Sequence, residues 1–183
     1  MRTFVLASAS PRRRDILQKS GYNFVIEPAD IDEDVPFEME TERIAEYLAE
    51  KKARFVAEKT GNITLGADTV VILDGAVLGK PKDKAQNAEY LKALSGRTHV
   101  VITGYCIIDG KRVYTGSDSA FVTFRNLSDE EINAYVESGN GLDKAGGYGV
   151  QDEYSLVERV DGEYETVVGL PISKVNGILE KIL

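Results

Sequence analysis

Residues 63–83, Ile-Thr-Leu-Gly-Ala-Asp-Thr-Val-Val-Ile-Leu-Asp-Gly-Ala-Val-Leu-Gly-Lys-Pro-Lys-Asp, set one carboxylate, Asp68, in the middle of an apolar run. Such a run, bounded by turn residues, reads as a strand from the inside of a sheet. Asp74-Gly75 is a turn signal, so the second run returns as the other arm of a hairpin and ends at Lys80-Pro81. Charges are seldom buried without a partner. Asp68 is therefore either a satisfied structural group or a working one, and the rest of the chain must decide.

The flanking segments build an α/β pattern. Residues 3–7 predict a short buried strand leading through Ser8-Ala9-Ser10 into a helix, with Ser10 as N-cap, Pro11 at the first helical position and Gly21 at the end. Residues 22–27 predict a second strand, and 41–60 a long helix carrying Ile44, Leu48, Ala49, Phe55 and Val56 at helical spacing. Asp83 caps a helix over 84–95, with Gln86 at the reciprocal box position. Residues 97–108 and 111–124 are β-rich runs joined at Asp109-Gly110, and Ser128-Asp-Glu-Glu131 is a capping box for a helix over 129–138. A glycine-dense loop, 139–151, follows. Residues 154–160 and 164–169 predict a hairpin around Asp161-Gly162, and Leu170-Pro171 opens a final helix. No repeat or low-complexity segment is present. A mixed sheet bent into two lobes, with a cleft between them, accommodates this order.

Composition narrows the function. A formal net charge of −8 over 183 residues argues against broad binding to nucleic acid or anionic membrane, but leaves room for a small anionic ligand in a basic pocket. The single cysteine, Cys106, excludes an intrachain disulfide and reads as a small core residue in a reducing, cytoplasmic setting. The single histidine, His99, reads as structural, and a His/Cys zinc site lacks ligands. The N-terminus offers no signal-peptide apolar region, and no run reaches membrane-spanning length.

The polar residues that local structure does not need are Ser8, Ser10, Arg12, Arg13, Glu33, Lys52, Asp68, Lys80, Lys144 and Gln151. Arg12-Arg13-Arg14 stands in a first helical turn, where the macrodipole favours anions, and such violations of a local rule tend to mark functional sites. Either the triplet is a solvated face or it lines a phosphate cradle at the helix N-terminus. The acidic loop Asp30-Ile31-Asp32-Glu33-Asp34 is either solvated or supplies an oxygen ligand to Mg²⁺ or Mn²⁺. Cations, a metal and a water-orienting carboxylate are what phosphoanhydride hydrolysis requires. No Walker sequence is present.

Six ordered motifs carry a family resemblance: Leu6-Ala7-Ser8-x-Ser10-Pro11-Arg12-Arg13, Gly66-Ala67-Asp68-Thr69-Val70, Gly79-Lys80-Pro81, Leu94-Ser95-Gly96, Asp143-Lys144-Ala145-Gly146 with Tyr148-Gly149-Val150-Gln151, and Val168-Gly169-Leu170-Pro171. The chain resembles the Maf nucleoside triphosphate pyrophosphatases, also described as septum formation inhibitors, and the resemblance spans 1–183 as a single domain of two lobes. It implies an α/β fold similar to inosine triphosphate pyrophosphatases: a bent mixed sheet with flanking helices and a nucleotide cleft. It implies hydrolysis of dTTP and UTP, standard or modified, to the monophosphate and pyrophosphate. A divalent cation (Mg²⁺, Mn²⁺ or Co²⁺) and a homodimer are expected with it. By motif position, Asp68 is the proton acceptor. Arg12, Thr69 and Gln151 select the substrate, Ser8, Arg13, Lys52 and Lys80 hold phosphates, and Glu33 with Asp68 binds the metal. The residues at 12, 69 and 151 match the dTTP/UTP branch rather than the 7-methyl-GTP branch. Asp152-Glu153 departs from the family pattern, in which glycine is usual there, and bears on the shape of the base pocket. The alternative reading is a nucleotide-sensing regulator of cell division that binds without significant turnover.

Overall fold

The computed structural model describes residues 3–36 and 38–183. Among these residues seven strands form one mixed sheet in the order β2-β1-β3-β5-β6-β7, with β4 paired to β3. The strands are β1 (Phe4–Leu6), β2 (Phe24–Ile26), β3 (Thr64–Leu73), β4 (Ala76–Leu78), β5 (Thr98–Asp109), β6 (Arg112–Phe124) and β7 (Val157–Asp161). The helices are α1 (Pro11–Lys19), α2 (Ile44–Thr60), α3 (Lys84–Leu94), α4 (Asp129–Ser138), α5 (Tyr164–Val168) and α6 (Ile172–Ile182). β1 runs parallel to β2 and β3, whereas β4 is antiparallel to β3 and β7 to β6.

The chain divides into two units. The first comprises Met1–Thr69, Thr103–Asp118 and Gly169–Leu183, the second Val70–Ile102 and Ser119–Val168. In the first, α2 lays an alanine stripe on the sheet. Ala49 and Ala53 pack with Cys106 and Ile108, and all four are buried. The approach is close because β3 and β5 present glycines to the helix. A Cβ on Gly66 would stand 2.3 Å from the Ala49 carbonyl oxygen, and one on Gly104 would stand 2.3 Å from the Ala45 carbonyl. Only a residue without a side chain lets two backbones meet at that range. The second unit closes over a core of Val71, Leu91, Leu94, Val101, Val122, Phe124, Ile132, Tyr135 and Tyr148.

Local signals are honoured at the expected places. Ser10 is extended and its hydroxyl accepts the Arg13 N–H of α1. Ser128 and Glu131 form both halves of the capping box of α4. Asp83 accepts from the Gln86 N–H, but the Gln86 side chain accepts from Lys82 rather than from Asp83. Asp74 (φ 51°) and Gly75 (φ 79°) supply the two left-handed residues of a tight hairpin turn.

The expected hairpin of 154–160 with 164–169 does not form. β7 pairs with β6 instead, placing Asp161 opposite Phe121. The chain then turns at Gly162 and coils into α5, which buries Thr166. Tyr-Glu-Thr-Val-Val has strand propensity, but that propensity yields to tertiary context when a partner strand is taken and burial is available in another form.

Candidate active site

Asp68 stands near the middle of β3 and is buried. α2 packs closely on β3 two residues earlier, at Gly66, and the helix delivers Lys52 to Asp68. Lys52 Nζ donates to Asp68 Oδ1 at 2.5 Å and lies 2.8 Å from Glu33 Oε1. One ammonium therefore bridges two carboxylates, one buried on the strand and one exposed on the acidic loop. Glu33 is the acid of 30–34 that reaches Lys52. The loop is held by neighbouring groups: Lys51 Nζ donates to the Asp32 carbonyl at 2.5 Å, and Asp32 Oδ1 accepts the Asp34 N–H.

Burial raises the Asp68 carboxyl above its ordinary pKa. Lys52 and Arg13 offset part of that rise, and Glu33 adds to it. The acid is thus held closer to neutrality than an exposed aspartate, while two cations keep its ionised form accessible.

Arg13 forms the second cluster. Its Nε donates to the Gly169 carbonyl at 2.8 Å, Nη1 to Ser8 Oγ at 3.1 Å and Nη2 to Thr69 Oγ1 at 3.1 Å. Thr69 Oγ1 also lies 2.9 Å from Thr103 Oγ1, and Ser8 Oγ accepts the Ser10 N–H. Desolvation lowers the Arg13 pKa while Asp68 raises it. A guanidinium stays charged regardless, so this is a permanent cation in the neighbourhood of Asp68. Three of its five N–H donors are spent on these bonds. The arginine triplet thus divides. Arg13 is tied into the site, Arg12 is half-buried beside it, and Arg14 pairs with Asp15 on the surface at 3.2 Å.

Ser8, Arg13, Glu33, Lys52, Asp68 and Thr69 thus come together in the first unit. Lys80 and Gln151 belong to the second, both exposed, on the segment after β4 and on the glycine-dense loop. Lys144, on that loop, is turned inward to the Asn140 carbonyl and Asp143. Residue spacing alone did not mark Thr103, which enters through Thr69, or the Gly169 carbonyl, which enters through Arg13. Cys106 and His99 are buried, as expected of core residues. Burial pushes the Cys106 thiol up to about 12, which leaves it inert.

No cluster of three or more histidine, cysteine or acidic residues suited to a metal occurs among the described residues. The Glu33–Asp68 pair is nevertheless a set of hard oxygen donors converging on one cation, which fits an oxygen-ligated divalent ion. No helix among the described residues is long and apolar enough to cross a membrane.

A buried acid on a sheet strand, bridged by lysine and with a half-buried arginine nearby, is an arrangement suited to an anionic ligand. The fold is that of nucleotide pyrophosphatases. A dITP/XTP pyrophosphatase from Mycobacterium abscessus superposes at a TM-score of 0.50 with 16% identity, covering 98% of this chain and 94% of that one. A HAM1 protein from Coxiella burnetii superposes at 0.55 with 17% identity, covering 99% of this chain and all of that one. The chain belongs to the Maf family, whose model, Maf-like protein, matches residues 3–182. Similar relatives are the dTTP/UTP pyrophosphatases of Shouchella clausii (43% identical, 99% of this chain and 96% of the relative), Pyrococcus furiosus (43%, 98% and 95%) and Moorella thermoacetica (46%, 98% and 94%).

Proposed function

We propose that this protein hydrolyses dTTP and UTP to the monophosphate and pyrophosphate, with Asp68 as the proton acceptor. The observation that carries the reading is the buried Asp68 carboxylate with its raised pKa, held against Lys52 and close to Arg13. A base works best when its pKa approaches the operating pH, and burial moves Asp68 in that direction. Water adds to the α-phosphorus, its proton passes to an Asp68 oxygen, and the bond to the β-phosphate breaks to release pyrophosphate. Arg13 and Lys52 stabilise the negative charge that develops on the phosphoryl oxygens. Two of the three Lys52 donors are engaged, and the third serves a phosphate oxygen. Ser8 and Lys80 are further phosphate contacts in this reading, and Arg12, Thr69 and Gln151 select the base.

Glu33 and Asp68 would hold a divalent cation, which neutralises polyphosphate charge when bound. A homodimer, a cytoplasmic setting and a single two-lobed domain over 1–183 belong to the same reading, and rest on family resemblance. The test is a pyrophosphate-release assay over the standard ribo- and deoxyribonucleoside triphosphates with Mg²⁺, Mn²⁺ or Co²⁺. Release from dTTP and UTP well above the other substrates is expected. Nucleotide binding with no release under any of the three metals would replace this reading with that of a nucleotide-sensing regulator.

A further inference from the structure

The glycine-dense loop ends in a closed turn. The Asp152 N–H donates to the Gly149 carbonyl at 3.1 Å, so Gly149-Val150-Gln151-Asp152 is a four-residue turn with Gln151 at its third position. A single phenol grips both ends of that turn. Tyr135 OH donates to Asp152 Oδ2 at 2.6 Å and accepts the Gly149 N–H at 3.0 Å. Tyr135 is fully buried on α4 and belongs to the core of the second unit. Its ring also packs edge-on against Tyr154, just beyond the turn. Lys144 Nζ lies 3.9 Å from Asp152 Oδ2 and adds charge to the same carboxylate. A side chain at the start of the turn would displace the Asp152 carboxylate, because a Cβ on Gly149 would stand 2.6 Å from its oxygens.

We propose that Tyr135 and Asp152 form a clasp that fixes the turn carrying Gln151, and that both are positioning residues for nucleobase selection. Asp152 belongs to the Asp152-Glu153 departure from the usual family pattern, and its carboxylate is turned inward rather than into solvent. An ordinary turn with exposed polar residues samples several side-chain directions. Here a rigid core tyrosine bonded to the first and last residues removes that freedom, so Gln151 meets its ligand preorganised. The inference rests on the proposal that Gln151 contacts the base.

The test compares steady-state kinetics of Tyr135→Phe, Asp152→Ala, Asp152→Asn and Gln151→Ala, with dTTP and with dCTP as the mismatched base. Tyr135→Phe and Asp152→Ala are expected to raise KM for dTTP roughly tenfold, leave kcat within about twofold, and erode preference over dCTP, the scale of one hydrogen bond to a charged group. Asp152→Asn keeps an acceptor for the phenol and recovers most of the preference. Adding Tyr135→Phe to Gln151→Ala costs nothing further. Melting curves identify any variant that fails to fold, and the partly exposed Asp152 carries the test if Tyr135→Phe does. Unchanged preference in both clasp variants, with preference lost in Gln151→Ala, overturns the clasp. Lost preference in the clasp variants with Gln151→Ala silent removes Gln151 from base selection and leaves the clasp positioning another group of the turn. Further loss in the double variant overturns action through Gln151.

Discussion

The Lys52 ammonium and the Asp68 carboxylate meet at 2.5 Å from two different elements, the third turn of α2 and the middle of β3. That pairing sets the charge state of the proposed base and supplies the first prediction. Asp68→Asn removes the proton acceptor while keeping its shape. A fall in kcat on the order of 10³-fold is expected, within the usual contribution of general-base catalysis. Because burial raises the pKa, the ionised form costs the folded state more than the unfolded one at neutral pH. The variant should therefore melt no lower than the parent at pH 7. Calorimetry with a pyrophosphate assay checks both, and parental turnover would discard Asp68 as the base.

The same shift predicts a pH profile. An acid with a raised pKa loses its proton only above the ordinary carboxylate range near 4. The acid limb of kcat/KM should lie above that value, with activity rising as pH rises through it. Lys52 holds the Asp68 pKa down, so Lys52→Met should move the limb further toward neutral pH. A limb that stays in place would mean that Lys52 and Asp68 are not electrostatically coupled in solution.

Gly66 supplies a structural prediction. The atoms nearest an added methyl are backbone, the Ala49 oxygen at 2.3 Å and the Ala53 nitrogen at 2.8 Å. Gly66→Ala must push α2 off β3, an overpacking cost of about 1–3 kcal/mol. Because Lys52 rides on that helix, turnover should fall along with stability. Urea unfolding read beside activity tests this; a variant as stable and active as the parent would show that the helix does not sit at this range.

His99 supplies an acid-stability prediction. It is 2% exposed, its Nε2 lies 2.6 Å from Tyr148 OH, and burial lowers its pKa to about 4 from 6.5. Between those values the unfolded chain binds a proton that the folded chain refuses. Stability from this group is complete above about pH 6.5 and declines as pH falls toward 4, by up to about 3 kcal/mol in all. His99→Gln should flatten that part of the stability profile, measured by chemical unfolding at a series of pH values. A profile unchanged by the substitution would place the titration on other groups.

Much of the fold was written locally. The caps at Ser10, Asp83 and Ser128 and the Asp-Gly turn at 74–75 each depend on residues within four positions of one another, so periodicity and turn chemistry expose them. The run around Asp68 was legible as a strand because both flanks are apolar. Residues 164–168 were not, because their form depends on which strand had already paired with β7. The alanine stripe of α2 carried only a weak signal, since Gly66 and Gly104 explain it solely in three dimensions. Within the site, the convergence of Glu33 and Lys52 on Asp68 came from motif resemblance rather than from spacing. Asp152 stood out as an unexpected acid, but its partner Tyr135 lies 17 residues away and nothing local connects them.

The bonds of Arg13 bear on how the protein is made. Its guanidinium joins residues 8, 69 and 169, the last of them 156 positions downstream. A chain emerging from the ribosome can form β1, α1, α2 and β3 early, yet that arginine lacks its Gly169 acceptor until residue 169 has been synthesised. Contacts of such long range slow folding, because the loop must close before they form. The Arg13 cluster is therefore a finishing step: a nascent chain halted before residue 169 carries the acid and the lysine, but holds the arginine without its final tether.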